Sequence, residues 1–284
     1  MAAVPLSPEP PSPWPVSAWG ERTLIMGILN LTPDSFSDGG RYNEAERAGG
    51  RVGEMVAEGA DLLDLGAEST RPGAVEVEEE EEWARLEPVL LRLAPRAPVP
   101  LSVDTYKAGV AERALRAGAV IVNDVWGLRR DPAMADVVAA AGAGVVLMDN
   151  RVEPVDTADC VAVVAETLGD SLERARRAGI APGRIVLDPG IGFGKTYAQN
   201  LEVLAGLSRL RTLGYPLLLG ASRKSVIGKT LDLPADQRLE GTLALTVAGA
   251  AAGVDLVRVH DVRANWRAAR MADAVYRAVP SSSP

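Results

Sequence analysis

One unit recurs eight times along the chain: a short apolar, β-branched run that stops abruptly, followed by an Ala/Glu/Arg-rich helical stretch. The runs are Leu24 to Leu29 ending at Asn30, Leu62 to Leu65 ending at Gly66, Leu101 to Val103 ending at Asp104, and Val120 to Val122 ending at Asn123. Val145 to Met148 ends at Asp149, Ile185 to Leu187 at Asp188, Pro216 to Ala221 at Ser222, and Leu256 to Val259 at His260. Near-continuous apolar strands alternating with helices predict a parallel sheet buried on both faces. Eight of them are the number that closes a (β/α)8 TIM barrel, here an α/β single domain over residues 21–279. In such a barrel the C-terminal strand ends meet on one face. Asn30, Asp104, Asn123, Asp188, Lys224, Arg258 and His260, far apart in sequence, are therefore expected to line one pocket.

The segment before the barrel is of another kind. Residues 1–20 carry Pro5, Pro8, Pro10, Pro11, Pro13 and Pro15, too many for a helix, and lack the basic-then-apolar order of a secretory signal, so a disordered or extended arm is expected. The tail from Pro280 to Pro284 is expected to fray. No apolar run reaches the roughly 20 residues that cross a bilayer, so no membrane partner is expected. A net charge of -8 argues against nucleic-acid binding, which needs a broad basic surface. The single cysteine, Cys160, falls in an expected helix from Ala158 to Arg177, cannot form an internal disulfide, and reads as a small buried hydrophobe in a cytoplasmic protein.

Two βα connections are longer than the rest: Thr32-Pro-Asp-Ser-Phe-Ser-Asp-Gly-Gly40 and Glu68-Ser-Thr-Arg-Pro-Gly-Ala74. Both mix Gly and Pro with charged and hydroxyl residues and open above the expected pocket, which suits mobile functional loops on a rigid scaffold. The acidic run Glu78 to Glu82 is read as a solvated face at the start of a helix, where carboxylates oppose the positive dipole end.

The segment from Asp188 to Thr196 ends Gly-Lys-Thr but is not a nucleotide P-loop, because that motif needs glycine at position 189 and the chain has Pro189. Its glycines are expected to let backbone approach a ligand closely. Only four of thirty basic residues are lysines, and Lys224 lies one turn past a strand end, where it serves either a ligand or a structural salt bridge. Arg258 and His260 point the same way by strand alternation, and guanidinium with imidazole suits a phosphate or pyrophosphate. A carboxylate pairs with adjacent ring N–H and amino donors, an amide complements donor and acceptor atoms together, and a lysine bonds a ring carbonyl. Asp104, Asn123, Asp188 and Lys224 thus fit a flat amino- and oxo-substituted heterocycle, and the Arg258–His260 pair a phosphorylated substituent on it.

Seven stretches in order carry a family resemblance. They are Met26 to Gly40, Glu68 to Gly73, Ser102 to Thr105, Val122 to Asp124, Asp188 to Thr196, Ser222 to Ser225 and Arg258 to Asp261. Through them the chain resembles the dihydropteroate synthases. The resemblance implies condensation of 6-hydroxymethyl-7,8-dihydropterin diphosphate with 4-aminobenzoate to give 7,8-dihydropteroate and pyrophosphate, in a homodimer. It implies that Asp104, Asn123, Asp188 and Lys224 hold the pterin with Met148 packed nearby. Arg258 would touch pterin and diphosphate, His260 would bind the diphosphate, and Asn30 would ligate a Mg2+ attached to it. Thr70, Arg71 and Pro72 with Phe36 and Ser225 would form the aminobenzoate side. Asp104, Lys224, Arg258 and Asp38 would be catalytic. The implied mechanism is dissociative, with pyrophosphate leaving before the amine captures a pterin-methyl cation. One departure stands out. The family usually reads Met-His after the fifth strand, where this chain has Met148-Asp149, and Asp149 is assigned no catalytic role. The rival reading is a pterin-binding domain that passes a methyl group from methyltetrahydrofolate to a corrinoid. It needs no diphosphate site and leaves Ser222 to Ser225, Arg258 and His260 unexplained.

Overall fold

The structure, a computed structural model, describes residues 13–15, 18–31, 41–69 and 75–277, with only the backbone of residues 41–45. Eight parallel strands, β1 (Leu24–Asn30), β2 (Leu62–Gly66), β3 (Leu101–Asp104), β4 (Ile121–Asp124), β5 (Gly144–Met148), β6 (Ile185–Asp188), β7 (Leu218–Leu219) and β8 (Leu256–Val259), run in the order β6-β5-β4-β3-β2-β1-β8-β7. A parallel bridge between Leu187 and Leu217 joins the two ends and makes the sheet a nearly closed barrel. The seventh strand is shorter than the run from Pro216 to Ala221 suggests. Pro216 has no N–H to donate and only Leu218 and Leu219 find ladder partners on β8.

Helices alternate with the strands on the outside: α1 (Arg41–Ala57), α2 (Glu79–Leu93), α3 (Ala108–Arg116), α4 (Met134–Ala141) and α5 (Cys160–Arg177) each follow one strand. α6 (Tyr197–Ala205) and α7 (Leu207–Leu210) share the sixth connection, α8 (Ser225–Leu231) and α9 (Leu239–Ala251) the seventh, and α10 (Val262–Tyr276) closes the ring. The outward strand residues, such as Ile25, Leu63, Val103, Val122, Leu147 and Val257, pack with the helices in one continuous core.

Inward residues form a second core. Leu24, Met26, Leu62, Ile121, Val146, Val186, Leu218 and Leu256 fill the barrel's interior, and Trp14 packs beneath them. Its ring is 3% exposed and its indole N–H donates to the Arg184 carbonyl at 3.0 Å. The described part of the arm is thus held against the barrel: a bulky apolar ring has more to gain as its floor than in water. Residues 1–12 and 16–17 and the tail from 278 lie outside the described residues.

The acidic run also departs from expectation. Glu80 and Glu81 are solvated, but Glu82 is fully buried, 2.6 Å from the Lys107 ammonium. A helix periodicity of 3.6 turns one member of any five-residue run toward the core. Here that member meets a cation.

Candidate active site

Strand alternation carries the inward face from the apolar floor to a polar roof. Two residues beyond Leu62 comes Asp64; two beyond Ile121, Asn123; two beyond Val186, Asp188; and two beyond Leu256, Arg258. Asp104 and Asn123 sit side by side in the β3–β4 register, as do Met148 and Asp188 in that of β5 and β6. The barrel thus brings Asp104, Asn123, Asp188 and Arg258 to one end, Asp104, Asn123 and Asp188 each 4% exposed.

Arg258 is the centre of this roof. Its Nε donates to Asp64 at 2.6 Å and its Nη2 to Asp104 at 2.7 Å, while the Asn123 amide donates to the same Asp64 oxygen at 2.9 Å. Asp64 was not among the residues singled out from sequence. The signal was present: a carboxylate in the middle of Leu62-Leu63-Asp64-Leu65 cannot be buried without a partner. It fixes the guanidinium that the resemblance assigns to both pterin and diphosphate. Arg258 is committed on two sides to carboxylates, which leaves only part of its fork open to an anion.

Burial pushes the Asp104 carboxyl up to about 7, against the pull of Arg258 and with the help of Asp64. Burial also raises Asp188 above the usual carboxylate range, opposed chiefly by Lys224. The Asp188 carboxylate accepts the Gly190 N–H at 2.7 Å through Oδ1. Its Oδ2 and the Lys224 ammonium face a common space: a Cβ added at Gly220 would stand 3.4 Å from one and 3.9 Å from the other. Lys224 precedes α8, donates to the Ile191 carbonyl at 2.6 Å and lies 4.4 Å from the centre of the Phe193 ring. Burial lowers its pKa to about 8. No carboxylate lies within salt-bridge distance of it among the described residues, so the structural-salt-bridge alternative loses its support.

Met148 packs with Tyr106, Val125 and Phe193 in a small apolar cluster beside this roof, a wall suited to a flat ring. His260 is half-buried and shares a 2.9 Å hydrogen bond between Nδ1 and the Ser222 hydroxyl, which ties the ends of β7 and β8 together. Ser225 opens α8 and is exposed, and Asn30 ends β1 with an exposed side chain. Phe36, Asp38, Thr70, Arg71 and Pro72 lie outside the described residues. Of the second loop, the base is described. The Glu68 carboxylate accepts the Tyr106 hydroxyl at 2.9 Å and the Val77 N–H at 3.2 Å and pairs with Lys107, so both ends of the loop are tied to the start of α3.

The glycines after Asp188 serve a different approach from the one expected. Gly190 has φ +65° and a Cβ there would fall 1.7 Å from the Asp149 carbonyl; at Gly194, with φ +53°, it would fall 2.2 Å from that of Arg151. The close neighbour of these two is the chain's own segment after β5 rather than a ligand. Lys195, the lysine of the false P-loop, is turned inward with 1% of its side chain exposed, 2.6 Å from Asp149. Thr196 caps α6 in a reciprocal pair with Gln199.

No group of three or more His, Cys, Asp or Glu among the described residues could hold a metal. Asn30 offers one neutral oxygen, which suits a Mg2+ whose shell is mostly phosphate and water. Cys160 is buried, and burial pushes its thiol pKa up, which makes it a packing residue.

Taken with the sealed floor, the fold and site define a barrel of the enzyme kind whose polar roof suits a flat nitrogen heterocycle. A family model described as pterin binding enzyme matches residues 26–260. The chain is 50% identical over 259 residues to the dihydropteroate synthase of Clostridium beijerinckii, covering 91% of this chain and 96% of that one. It is 49% identical to that of Bacillus subtilis, covering 91% and 90%. Its structure matches a Clostridium difficile dihydropteroate synthase crystallised in the presence of pteroic acid with a TM-score of 0.89 at 52% identity, covering 92% and 99%. A Xanthomonas albilineans dihydropteroate synthase with 4-aminobenzoic acid matches with a TM-score of 0.86 at 45% identity, covering 92% and 95%. The chain belongs to the dihydropteroate synthase family of pterin-binding transferases.

Proposed function

We propose that this barrel condenses 6-hydroxymethyl-7,8-dihydropterin diphosphate with 4-aminobenzoate, with Asp104, Asn123, Asp188 and Lys224 holding the pterin. The observation that carries the reading is their convergence on one roof around Arg258. Asp188 accepts from the ring's amino and N–H donors, Lys224 donates to the ring carbonyl, and Asn123, turned by its bond to Asp64, offers the remaining amide atoms. Met148 and Phe193 cover a ring face.

The carbon–oxygen bond to the diphosphate breaks as charge builds on the leaving group, and the free edge of Arg258 with His260 meets that charge. Mg2+ carried by the diphosphate, with Asn30 supplying one oxygen, would neutralise more of it. Asp104 and Asp64 place negative charge under the cationic ring before the aminobenzoate nitrogen forms the new bond. Thr70, Arg71, Pro72, Phe36 and Ser225 are taken as the aminobenzoate side, and Asp38 as a catalytic residue. Exclusion of water by the two loops protects the cation from hydrolysis. The protein works as a cytoplasmic homodimer; no helix among the described residues is long and apolar enough to cross a membrane.

The diphosphate site separates this reading from the corrinoid methyltransferase one. Incubation with both substrates should release pyrophosphate and dihydropteroate in equal amounts, dependent on Mg2+. Methyl transfer from methyltetrahydrofolate with no pyrophosphate formed would overturn it.

A further inference from the structure

Asp149, to which the sequence assigns no role, and Lys195, left over from the discarded P-loop, are brought together in the buried wall beside the pterin residues. Asp149 is fully buried just past β5, where its N–H continues the pairing with β6 by donating to the Asp188 carbonyl at 3.0 Å. Its Oδ2 lies 2.6 Å from the Lys195 ammonium. Its Oδ1 accepts from Arg151 at 2.9 and 3.1 Å, and Arg151 in turn donates to Thr167 on α5. The anion is thus fixed to the scaffold on two sides.

The cation is at the focus of the loop. Lys195 donates to the carbonyls of Gly190 and Phe193 at 2.9 and 3.2 Å, so the chain from 190 to 195 wraps its own ammonium. From the other side, Asn200 accepts the Gly192 N–H at 2.6 Å. This loop has glycine at three of its positions and little side-chain bulk to define its shape. Yet it carries two groups that the site needs in place: the Ile191 carbonyl, which receives the Lys224 ammonium at 2.6 Å, and the Phe193 ring beneath it.

We propose that Asp149 and Lys195 form a positioning pair that clamps the 189–196 loop to the end of β5 and, through the Ile191 carbonyl and the Phe193 ring, sets Lys224 for the pterin. The proposal rests on the reading of Lys224 as a pterin residue. An ion pair suits this task better than packing. Two hydrogen bonds from one ammonium to loop carbonyls, with its ion pair to a fixed carboxylate, define a loop geometry that glycines leave undefined, and burial makes the loss of either partner costly.

The test uses the full-length enzyme with Lys195→Met, Asp149→Asn and the double variant, each checked by thermal melting. The double variant removes both charges and protects the experiment against a single variant that fails to fold. Steady-state kinetics with both substrates should show the KM for the pterin diphosphate raised about tenfold or more in Lys195→Met and in the double variant, as misplacement of a binding group by an ångström allows. The aminobenzoate KM should stay within about twofold, since the clamp acts through Lys224, which is read as holding the pterin. Amide hydrogen exchange at 190–195 should quicken in the same variants. A merely structural role would lower the melting temperature and the active fraction while the surviving enzyme kept the wild-type pterin KM and loop protection, and that result would overturn the proposal. Failure of the wild type itself to turn over the pterin diphosphate would instead count against the function of the site as a whole.

Discussion

At Asp188 the two carboxylate oxygens have different duties. Oδ1 takes the Gly190 N–H, and Oδ2 faces the space shared with Lys224. In Asp188→Asn the amide oxygen can keep the Gly190 bond, which leaves an NH2 donor opposed to the donors of the ring. We expect a loss on the order of 1 to 3 kcal/mol in pterin affinity, about 5- to 150-fold, with the melting temperature little changed. Calorimetry with a pterin ligand measures it, and near-wild-type affinity would remove Asp188 from the site. The same roof predicts a narrow pH optimum. Asp104 must be ionised to support a cationic ring, and burial keeps it protonated below about 7. Lys224 must be charged to donate as an ammonium, and burial discharges it above about 8. Activity, read as kcat/KM for the pterin diphosphate, should therefore rise with pH toward 7 and fall beyond 8. Lys224→Arg, which cannot discharge in this range, should lose the alkaline fall while keeping the acid one. An alkaline limb that persists in the arginine variant would assign it to another group.

At the scale of elements, loops near the site are held by buried charge rather than by hydrophobic area. The second loop is tied at both ends to Glu68, and Glu68 is held by Tyr106 and by Lys107, which also neutralises Glu82 of α2. Lys107→Met would leave two carboxylates in one buried place with no cation between them. A loss of about 3 to 5 kcal/mol in denaturant unfolding is expected, since breaking a buried pair strands its partner. Lys107→Met with Glu82→Gln, which leaves one carboxylate fewer, should recover part of it. If the single variant unfolds at the wild-type midpoint, the cluster is better solvated than its burial suggests. In the loop after β6 the constraint is steric. Gly190→Ala would drive a Cβ into the Asp149 carbonyl at a positive φ, so loss of pterin binding is expected even where the protein still folds.

The whole molecule is a barrel closed at one end by an apolar floor and open at the other through a polar roof. Trp14 is the floor's last piece although it lies in the arm rather than the barrel. Trp14→Ala should cost about 3 to 5 kcal/mol, the range for emptying a large aromatic site, with the pterin KM unchanged because the cavity opens at the far end from the site. Chemical denaturation with parallel kinetics separates the two. A change in KM without a change in stability would mean that the floor and roof are coupled.

The number of strands, their order along the chain and the polar residues at their ends were legible in the sequence because each depends on local pattern. Period 2 sends alternate residues inward, and a parallel sheet buried on both faces can end only at a polar turn. Hence the local pattern alone gathers Asp104, Asn123, Asp188 and Arg258 at one end of the barrel. What the pattern could not reveal was pairing between residues far apart in sequence. Asp64, inside an apolar run, was passed over, and only the barrel sets it 2.6 Å from an arginine 194 residues away. Lys195 was left without a role once Pro189 excluded a phosphate loop, and only the structure pairs it with Asp149; Glu82 read as one more solvated carboxylate until α2 turned it onto Lys107. A buried charge is tolerated only beside its counter-charge, and which charges become neighbours is decided by closure of the barrel, a property of the tertiary structure alone.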